Sequence, residues 1–447
     1  MAIKPRSYYL TSLGCAKNLV DSNLIAQELE SLGYQSLDDP RRAEFLIVNT
    51  CGFIHDAREE SLEALGSQAE GKKAGQYLLA AGCLSQRYQD QLLEEVPGLD
   101  GMIGTRDLRA ILPLAEALRE GKGNPGSQNT FLTPKILPMP GRGHFALQGS
   151  SAYLKIADGC RRQCAFCAIP QIKGTLVSRG SAEIIRDART LQEQGILELN
   201  LIAQDVTDYG RDLGRNDGLA DLLEEMLPQI PDIPWVRLLY TFPGSLTDRG
   251  IKLFGGDNQL LPYLDMPLQH ASPEVLRSMH RPADMDWVRN TFTRLRAQVP
   301  NLVTRTTLIV GYPTETEADF ELLCGFVEEM QFDHLGVFTF SPEQDTFSAQ
   351  YGDPIPEEVK QERMQRIMAL QAQISAQNLQ KLIGQEFELL VEGQDPRQKV
   401  TVGRIFRDAP EIDGLVIASG LARPGKMARV RITAASEHDL YGKILKH

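Results

Sequence analysis

The apolar positions of the first third of the chain come in short runs that alternate with stretches of helical period. Tyr8-Tyr9-Leu10, Phe45-Leu46-Ile47-Val48-Asn49-Thr50 and Tyr77-Leu78-Leu79-Ala80-Ala81-Gly82 have the length and content of buried strands. Between the first two, the segment from Leu19 to Leu32 repeats apolar residues at helical spacing. That pattern predicts Leu24, Ala26, Leu29 and Leu32 on the buried side and Gly33 as the stop. Strand, helix, strand order predicts a parallel sheet, so residues 1–120 are expected to form an α/β domain. Residues 121–150, rich in Gly, Pro and polar side chains, read as a linker.

A second strand–helix series occupies 151–382. Its strand candidates are Ala152–Ala157, Leu197–Ile202, Trp235–Phe242, Leu261–Leu268, Val303–Val310 and His334–Phe340. Helical patterns separate them, as in Ala182–Gln194, where Ile184, Ile185, Ala188 and Leu191 share a face. Six such units predict a partial (β/α)6 barrel, with ligands at the carboxyl ends of its strands. A long helix, Pro356 to Leu382, leads out. Residues 383–447 hold short strand patterns at Glu386–Val391, Lys399–Phe406, Leu415–Ala418 and Met427–Ile432, which suit a small all-β barrel. The expected class is α/β with that all-β appendage.

A length of 447 residues agrees with two to four domains, and 42% hydrophobic with 24% charged residues is ordinary for a globular chain. No apolar run reaches the length of a membrane span, and Met1 to Tyr8 lacks a signal-peptide core, so a cytoplasmic protein with no membrane partner is expected. Net charge −12 suits a basic partner better than a polyanion. Small barrels often bind RNA through basic and aromatic faces. Here Arg397, Lys399, Arg404 and Arg407 are followed by Asp408, Glu411 and Asp413. That acidic insert argues against a plain nucleic-acid surface. It is expected to be either a carboxylate patch that steers a basic partner or a solvated loop.

The chain has 7 cysteines, and in a reducing compartment metal or redox work is a better default than disulfides. Cys15, Cys51 and Cys83 each stand just past the end of a first-domain strand, on the edge where open α/β sheets bind ligands. They can meet there as a three-thiolate site, or be three buried apolar thiols. Cys160, Cys164 and Cys167 form a C-x3-C-x2-C run after the first strand of the second series. Thiolates at this spacing can bind three irons of a [4Fe-4S] cube and leave the fourth open. The usual ligand of such an iron is the amino acid end of S-adenosylmethionine, which an incoming electron cleaves to a 5′-deoxyadenosyl radical. A structural zinc ion is the alternative, but no fourth Cys or His lies close by in sequence. Cys324, in the helical pattern Phe320–Met330, reads as a buried apolar residue.

With these motifs stand Ser12-Leu13-Gly14-Cys15-Ala16-Lys17-Asn18-Leu19-Val20-Asp21-Ser22, Asn49-Thr50-Cys51-Gly52-Phe53 and Ala81-Gly82-Cys83-Leu84. In them the chain resembles the radical S-adenosylmethionine (radical SAM) methylthiotransferases over all but its linker. The resemblance implies a methylthiotransferase domain, a radical SAM core and a TRAM-like barrel. It also implies two [4Fe-4S] clusters, the second held by Cys15, Cys51 and Cys83, with S-adenosylmethionine as cofactor and methyl source. Within the family the chain is most similar to the branch that modifies ribosomal protein S12 of the 30S subunit. The tRNA branch typically carries Gln-Met-Asn after the first cysteine, where this chain has Ala16-Lys17-Asn18, and Gly403 to Gly414 also resembles the ribosomal-protein branch. Asn23 stands where members commonly carry Glu.

The implied target is the β-carbon of one aspartate of S12, and the implied partners include an electron donor protein and a sulfur donor. A C–H beside a carboxylate is too weak an acid for a side-chain base, which is the reason for radical chemistry. Methylthiolation of a tRNA adenosine and a metal-stabilised RNA-binding module are the other readings. Gln204, ending the second core strand, stands where radical SAM enzymes often carry Gly-Gly-Glu, and is a candidate contact for the methionine amine or an ordinary loop residue. Gly311 lets backbone approach the adenosine or only makes a turn. Phe166 packs against adenine or covers the cluster. His270 and His334, at strand ends, read as structural histidines.

Overall fold

The computed structural model describes residues 3–121, 143–256 and 259–445. Most of the expected linker, 122–142, lies outside the described residues. The first domain is a 5-stranded parallel sheet of β1 (Lys4–Ser12), β2 (Gln35–Ser36), β3 (Ala43–Thr50), β4 (Tyr77–Gly82) and β5 (Gly101–Met102), in the order β2-β1-β3-β4-β5. The inner strands β3 and β4 are buried on both faces, which is why Phe45–Val48 and Leu78–Ala81 are unbroken apolar runs. The first helix runs Ala16–Ser31 and buries Val20, Leu24, Ile25 and Leu29. Ala26 is only half-buried, and Leu32 is 48% exposed because the helix ends before it. The helix also buries Asn18, Asp21 and Ser22, which apolar periodicity could not reveal.

The central domain is an open 7-stranded sheet. Its antiparallel edge strand is β6 (Phe145–Gln148), beside β7 (Ser151–Lys155). A short bridge of β8 (Ala157–Asp158) with β9 (Val177–Ser178) follows. Parallel to β7 run β10 (Glu198–Ile202), β11 (Trp235–Leu238), β12 (Leu260–Asp265), β13 (Val303–Val310) and β14 (His334–Thr339). Two strands end well before their expected limits. β11 stops at Leu238 because Tyr240 takes φ +68°, and β12 stops at Asp265, so both chains peel off the sheet where ligands would sit. The first helix lies against this sheet as well: Asn23 donates to the Phe145 carbonyl at 2.7 Å, and Gln27 exchanges two hydrogen bonds with Gly143.

The exit helix runs Glu357–Gln380, and the last domain is a closed barrel of β15 (Glu386–Asp395), β16 (Val400–Arg404), β17 (Val416–Ser419), β18 (Met427–Ala435) and β19 (Leu440–Ile444). β19, which the sequence pattern missed, pairs parallel to β17 and closes the barrel. The barrel docks on the starting ends of the central strands. Arg404 and Arg237, both fully buried, hold the Glu198 carboxylate at 2.6 and 2.9 Å. Arg237 also donates to the carbonyls of Phe406 and Asp408.

The acidic insert is therefore neither a surface patch nor a solvated loop. Asp413 accepts from the Tyr263 hydroxyl at 2.6 Å and lies 3.4 Å from His334, while Asp408 is 4% exposed. Only Glu411 of the three faces solvent. Arg407 likewise turns inward to Asp333 at 2.6 Å. Charges that read as a docking face are consumed by packing of the barrel against the sheet.

Burial alone would raise the Glu198 carboxyl, but the two guanidinium groups outweigh it and bring it from its ordinary 4.5 to about 2. A depressed carboxyl contributes stability above its unfolded pKa and loses it as pH falls through the folded value. Acid unfolding should thus steepen between about pH 4.5 and 2 in the native chain and flatten in Glu198→Gln. That variant leaves buried Arg237 without a carboxylate and Arg404 with Glu392 alone, and should lose on the order of 3–5 kcal/mol in denaturant titrations.

Candidate functional site

All three N-terminal cysteines sit at the carboxyl edge of their sheet. Cys15 immediately precedes the first helix, Cys51 follows β3, and Cys83 opens the helix Cys83–Glu95 directly after β4. One side chain gathers the three loops. The Asn18 amide donates to the carbonyls of Leu13 at 2.8 Å and Thr50 at 2.9 Å, and its oxygen lies 3.9 Å from the Cys83 sulfur. Gly14, at φ +83°, lets the first loop close on the second: a Cβ there would stand 2.8 Å from the Cys51 Cβ. Gly82, at φ +99°, has no room either, since its Cβ would meet the Asn49 side chain at 2.4 Å.

The second triad lies on the loop after β8. The Cys160 N–H donates to the Gly174 carbonyl at 3.1 Å, the Arg162 N–H points at the Cys160 sulfur at 3.4 Å, and Arg281 reaches the Cys164 sulfur at 3.8 Å. Arg281 and Arg162 both stack on the Phe242 ring, at 4.2 and 4.1 Å from its centroid. Both triads open into one cavity of about 430 Å³. Six thiols from two domains thus line a single space, at the edge where parallel sheets carry ligands.

Beside the cavity lies a buried charge network. Lys155 pairs with Asp21 and, at 2.7 Å, with Asp158; Lys173 pairs with Asp21 at 2.6 Å and lies 3.7 Å from Asp158. Asp21 comes from the first helix, Lys155 from β7 and Lys173 from the end of the helix Ile169–Lys173. Burial would raise the Asp158 carboxyl, but the two ammonium groups outweigh it and hold it well below the usual range. Burial would lower the Lys173 ammonium, and Asp158 and Asp21 outweigh that in turn.

The donor set fits iron–sulfur clusters. Burial pushes the thiols of Cys160 and Cys167 up to about 11 and about 12, and that of Cys83 higher still against the pull of Lys173. Such sites keep thiols neutral until a metal displaces the protons. The N–H groups and cations aimed at the sulfurs favour the thiolate state that results. Each triad offers three thiolates, one short of the four ligands that a closed structural zinc site takes. A cube spreads its thiolates over separate irons.

Of the other expected contacts, Phe166 and Gln204 line the cavity, and Gln204 donates to Asp158 at 3.2 Å. Gly311 is not among the lining residues. Its φ of +72° serves packing, since a Cβ there would meet Lys360 Cγ at 2.2 Å. His270 accepts from the Ser272 N–H at 2.9 Å, and the His334 ring contacts the Arg407 carbonyl at 3.0 Å; both are held by local partners. Cys324 is buried in the central core. Lys17, Arg162, Tyr240, Phe242, Gln269 and Arg281 line the cavity unforeseen. Tyr240 and Gln269 sit there through left-handed turns at φ +68° and +75°, which no local pattern marks.

Residues 7–104 match the family model described as Uncharacterized protein family UPF0004, residues 154–327 the Radical SAM superfamily and residues 383–445 the TRAM domain. Among curated proteins, the chain is similar to the ribosomal protein uS12 methylthiotransferase RimO of Anaeromyxobacter sp. (strain K). The two are 42% identical over 444 residues, 98% of this chain and 93% of that protein. The protein of the same name from Synechocystis sp. is 42% identical over 439 residues, 97% of this chain and 96% of its own. Among solved structures, the radical S-adenosylmethionine methyltransferase TsrM from Kitasatospora setae, with cobalamin and a [4Fe-4S] cluster bound, superposes with a TM-score of 0.55. It is 15% identical and covers 75% of each chain, a likeness of fold.

Exposure and thiol acidity order the reactivity of the metal-free protein. Cys15 is exposed, whereas Cys83 is buried and its thiol strongly disfavours ionisation. Timed alkylation at about pH 8, read by peptide mass spectrometry, should label Cys15 first, Cys160 and Cys167 slowly, and Cys83 last.

Proposed function

The chain belongs to the ribosomal protein uS12 methylthiotransferases of the radical SAM superfamily, and we propose that it adds a methylthio group to the β-carbon of an aspartate of ribosomal protein S12. The observation that carries this reading is the opening of both cysteine triads into one cavity. A reaction that must activate a C–H bond and then place sulfur on the same carbon needs both functions within reach of one substrate atom. We assign Cys160, Cys164 and Cys167 to the [4Fe-4S] cluster that binds S-adenosylmethionine, and Cys15, Cys51 and Cys83 to a second one. When bound, these groups supply the electron, the radical chemistry and the sulfur that no side chain offers.

The chain itself supplies position and environment. Asn18 and the charge network on Asp21 fix the two loops against each other. Phe53, Phe166, Ile169 and Phe242 give the cavity apolar walls that keep water away from reactive species. Arg162 is held by Asp205 at 3.0 Å, and Arg281 donates to the Pro267 carbonyl, so both guanidinium groups are oriented before any ligand arrives. Electron and sulfur must come from outside the chain, and an electron donor protein and a sulfur donor are the proposed partners. No helix among the described residues is long and apolar enough to cross a membrane. A tRNA substrate is disfavoured because Arg404 and Arg407 are turned inward, while Arg429 and Arg431 share Glu386.

Replacing Cys160, Cys164 and Cys167 together with Ala should remove about half of the iron and all cleavage of S-adenosylmethionine, leaving the other triad loaded. Cys324→Ser should keep full iron and turnover and lose on the order of 1–3 kcal/mol of stability. Anaerobic iron and sulfide analysis checks both; zinc, or one cluster shared by both triads, sinks the assignment. Mass spectrometry of the S12 peptide beside nucleoside analysis of tRNA decides the substrate.

A further inference from the structure

Four cationic side chains line the cavity, and three of them are already engaged. Arg162 pairs with Asp205 and Asp208, Lys173 with Asp21 and Asp158, and Arg281 donates to the Pro267 carbonyl while stacking on Phe242. Lys17 is different. Among the described residues it has no carboxylate or carbonyl partner, and its Nζ lies over the Tyr240 ring, 3.3 Å from the centroid. An ammonium over an aromatic face is held in place yet keeps its N–H bonds available for an anion. The support is itself constrained: Tyr240 takes φ +68°, its N–H donates to Asp265 at 2.9 Å, and Arg305 holds that carboxylate at 3.1 Å. A non-glycine residue kept in the left-handed region by a buried carboxylate is the kind of outlier that functional sites retain.

We propose, resting on the function given above, that Lys17 binds the side-chain carboxylate of the substrate aspartate and so selects aspartate for modification. The carboxylate carbon is bonded directly to the β-carbon, so holding the one fixes the other. Lys17 also lies two positions from Cys15, so the β-carbon is held on the side of the N-terminal triad. In a cavity with apolar walls a charge-assisted hydrogen bond is stronger than in water, and asparagine, of nearly the same shape, cannot replace it.

The test uses the reconstituted full chain and two peptides from the modified loop of S12, one with the natural aspartate and one with asparagine there. Their ratio of kcat/KM is compared in the wild type, Lys17→Met and Lys17→Arg, with iron measured in each. The wild type should prefer aspartate by about tenfold or more, Lys17→Met should fall near parity, and Lys17→Arg should retain most of the preference. A wild-type preference in iron-replete Lys17→Met overturns the inference. So does a raised KM for S-adenosylmethionine with the ratio unchanged, which would assign the lysine to the methionine carboxylate. If Lys17→Met fails to hold iron, Tyr240→Leu, which removes the ring from under the ammonium, should still lower the preference severalfold; an unchanged ratio there overturns the inference as well. Failure of the functional reading is separate, since the wild type would then modify neither peptide.

Discussion

The arrangement of this molecule depends on one requirement: two aspartates and two lysines with almost no access to water must neutralise each other. Asp21, Lys155, Asp158 and Lys173 are each no more than 5% exposed, and they come from two domains. A buried charge left without its partner costs several kcal/mol, so the set is satisfied only when the first helix, β7 and the helix Ile169–Lys173 meet in one way. Asp21 lies on the helix that Cys15 precedes, and Asp158 lies just ahead of Cys160. Geometry forced by electrostatics at this point is passed directly to the two triads. An apolar contact could slide by a fraction of an ångström at little cost; four interlocked charges tolerate much less.

The opposite end of the central sheet obeys the same logic with different groups. Glu198, Arg237 and Arg404 are buried to 1% exposure or less, and the remaining donors go to backbone carbonyls of the barrel segment, to Ser151 and to Glu392. The sheet is therefore gripped at both ends, by the first domain where its strands finish and by the last where they begin. Gripping the scaffold from two sides leaves the cavity walls little freedom, which suits chemistry that must exclude water.

Much of this was legible from the chain alone because it depends on local pattern. Strand length, helical period and the spacing of Cys160, Cys164 and Cys167 each carry their own signal, and the placing of Cys15, Cys51 and Cys83 at strand ends follows from the βαβ order. What escaped were features decided by distant partners. Asp408 and Asp413 look like surface residues until Tyr263, Arg237 and His334 are brought to them from the sheet. Lys17 looks like an ordinary helical lysine until Tyr240 arrives from 223 positions away along the chain, the difference of the two numbers. Leu32 continues the apolar period of the first helix, but the helix ends before that period is complete. β19 is short and carries Gly442, so only its pairing with β17 and β18 makes it a strand.

The grip of the last domain has a consequence in time. Glu198 and Arg404 are separated by 206 positions, and a ribosome makes the first long before the second. Through that interval the Glu198 carboxylate has Arg237 but not Arg404, and the starting ends of the strands are still open to water. The floor of the central domain is closed only by a segment made after the whole central sheet, so the scaffold reaches its final rigidity once the barrel has been synthesised rather than domain by domain.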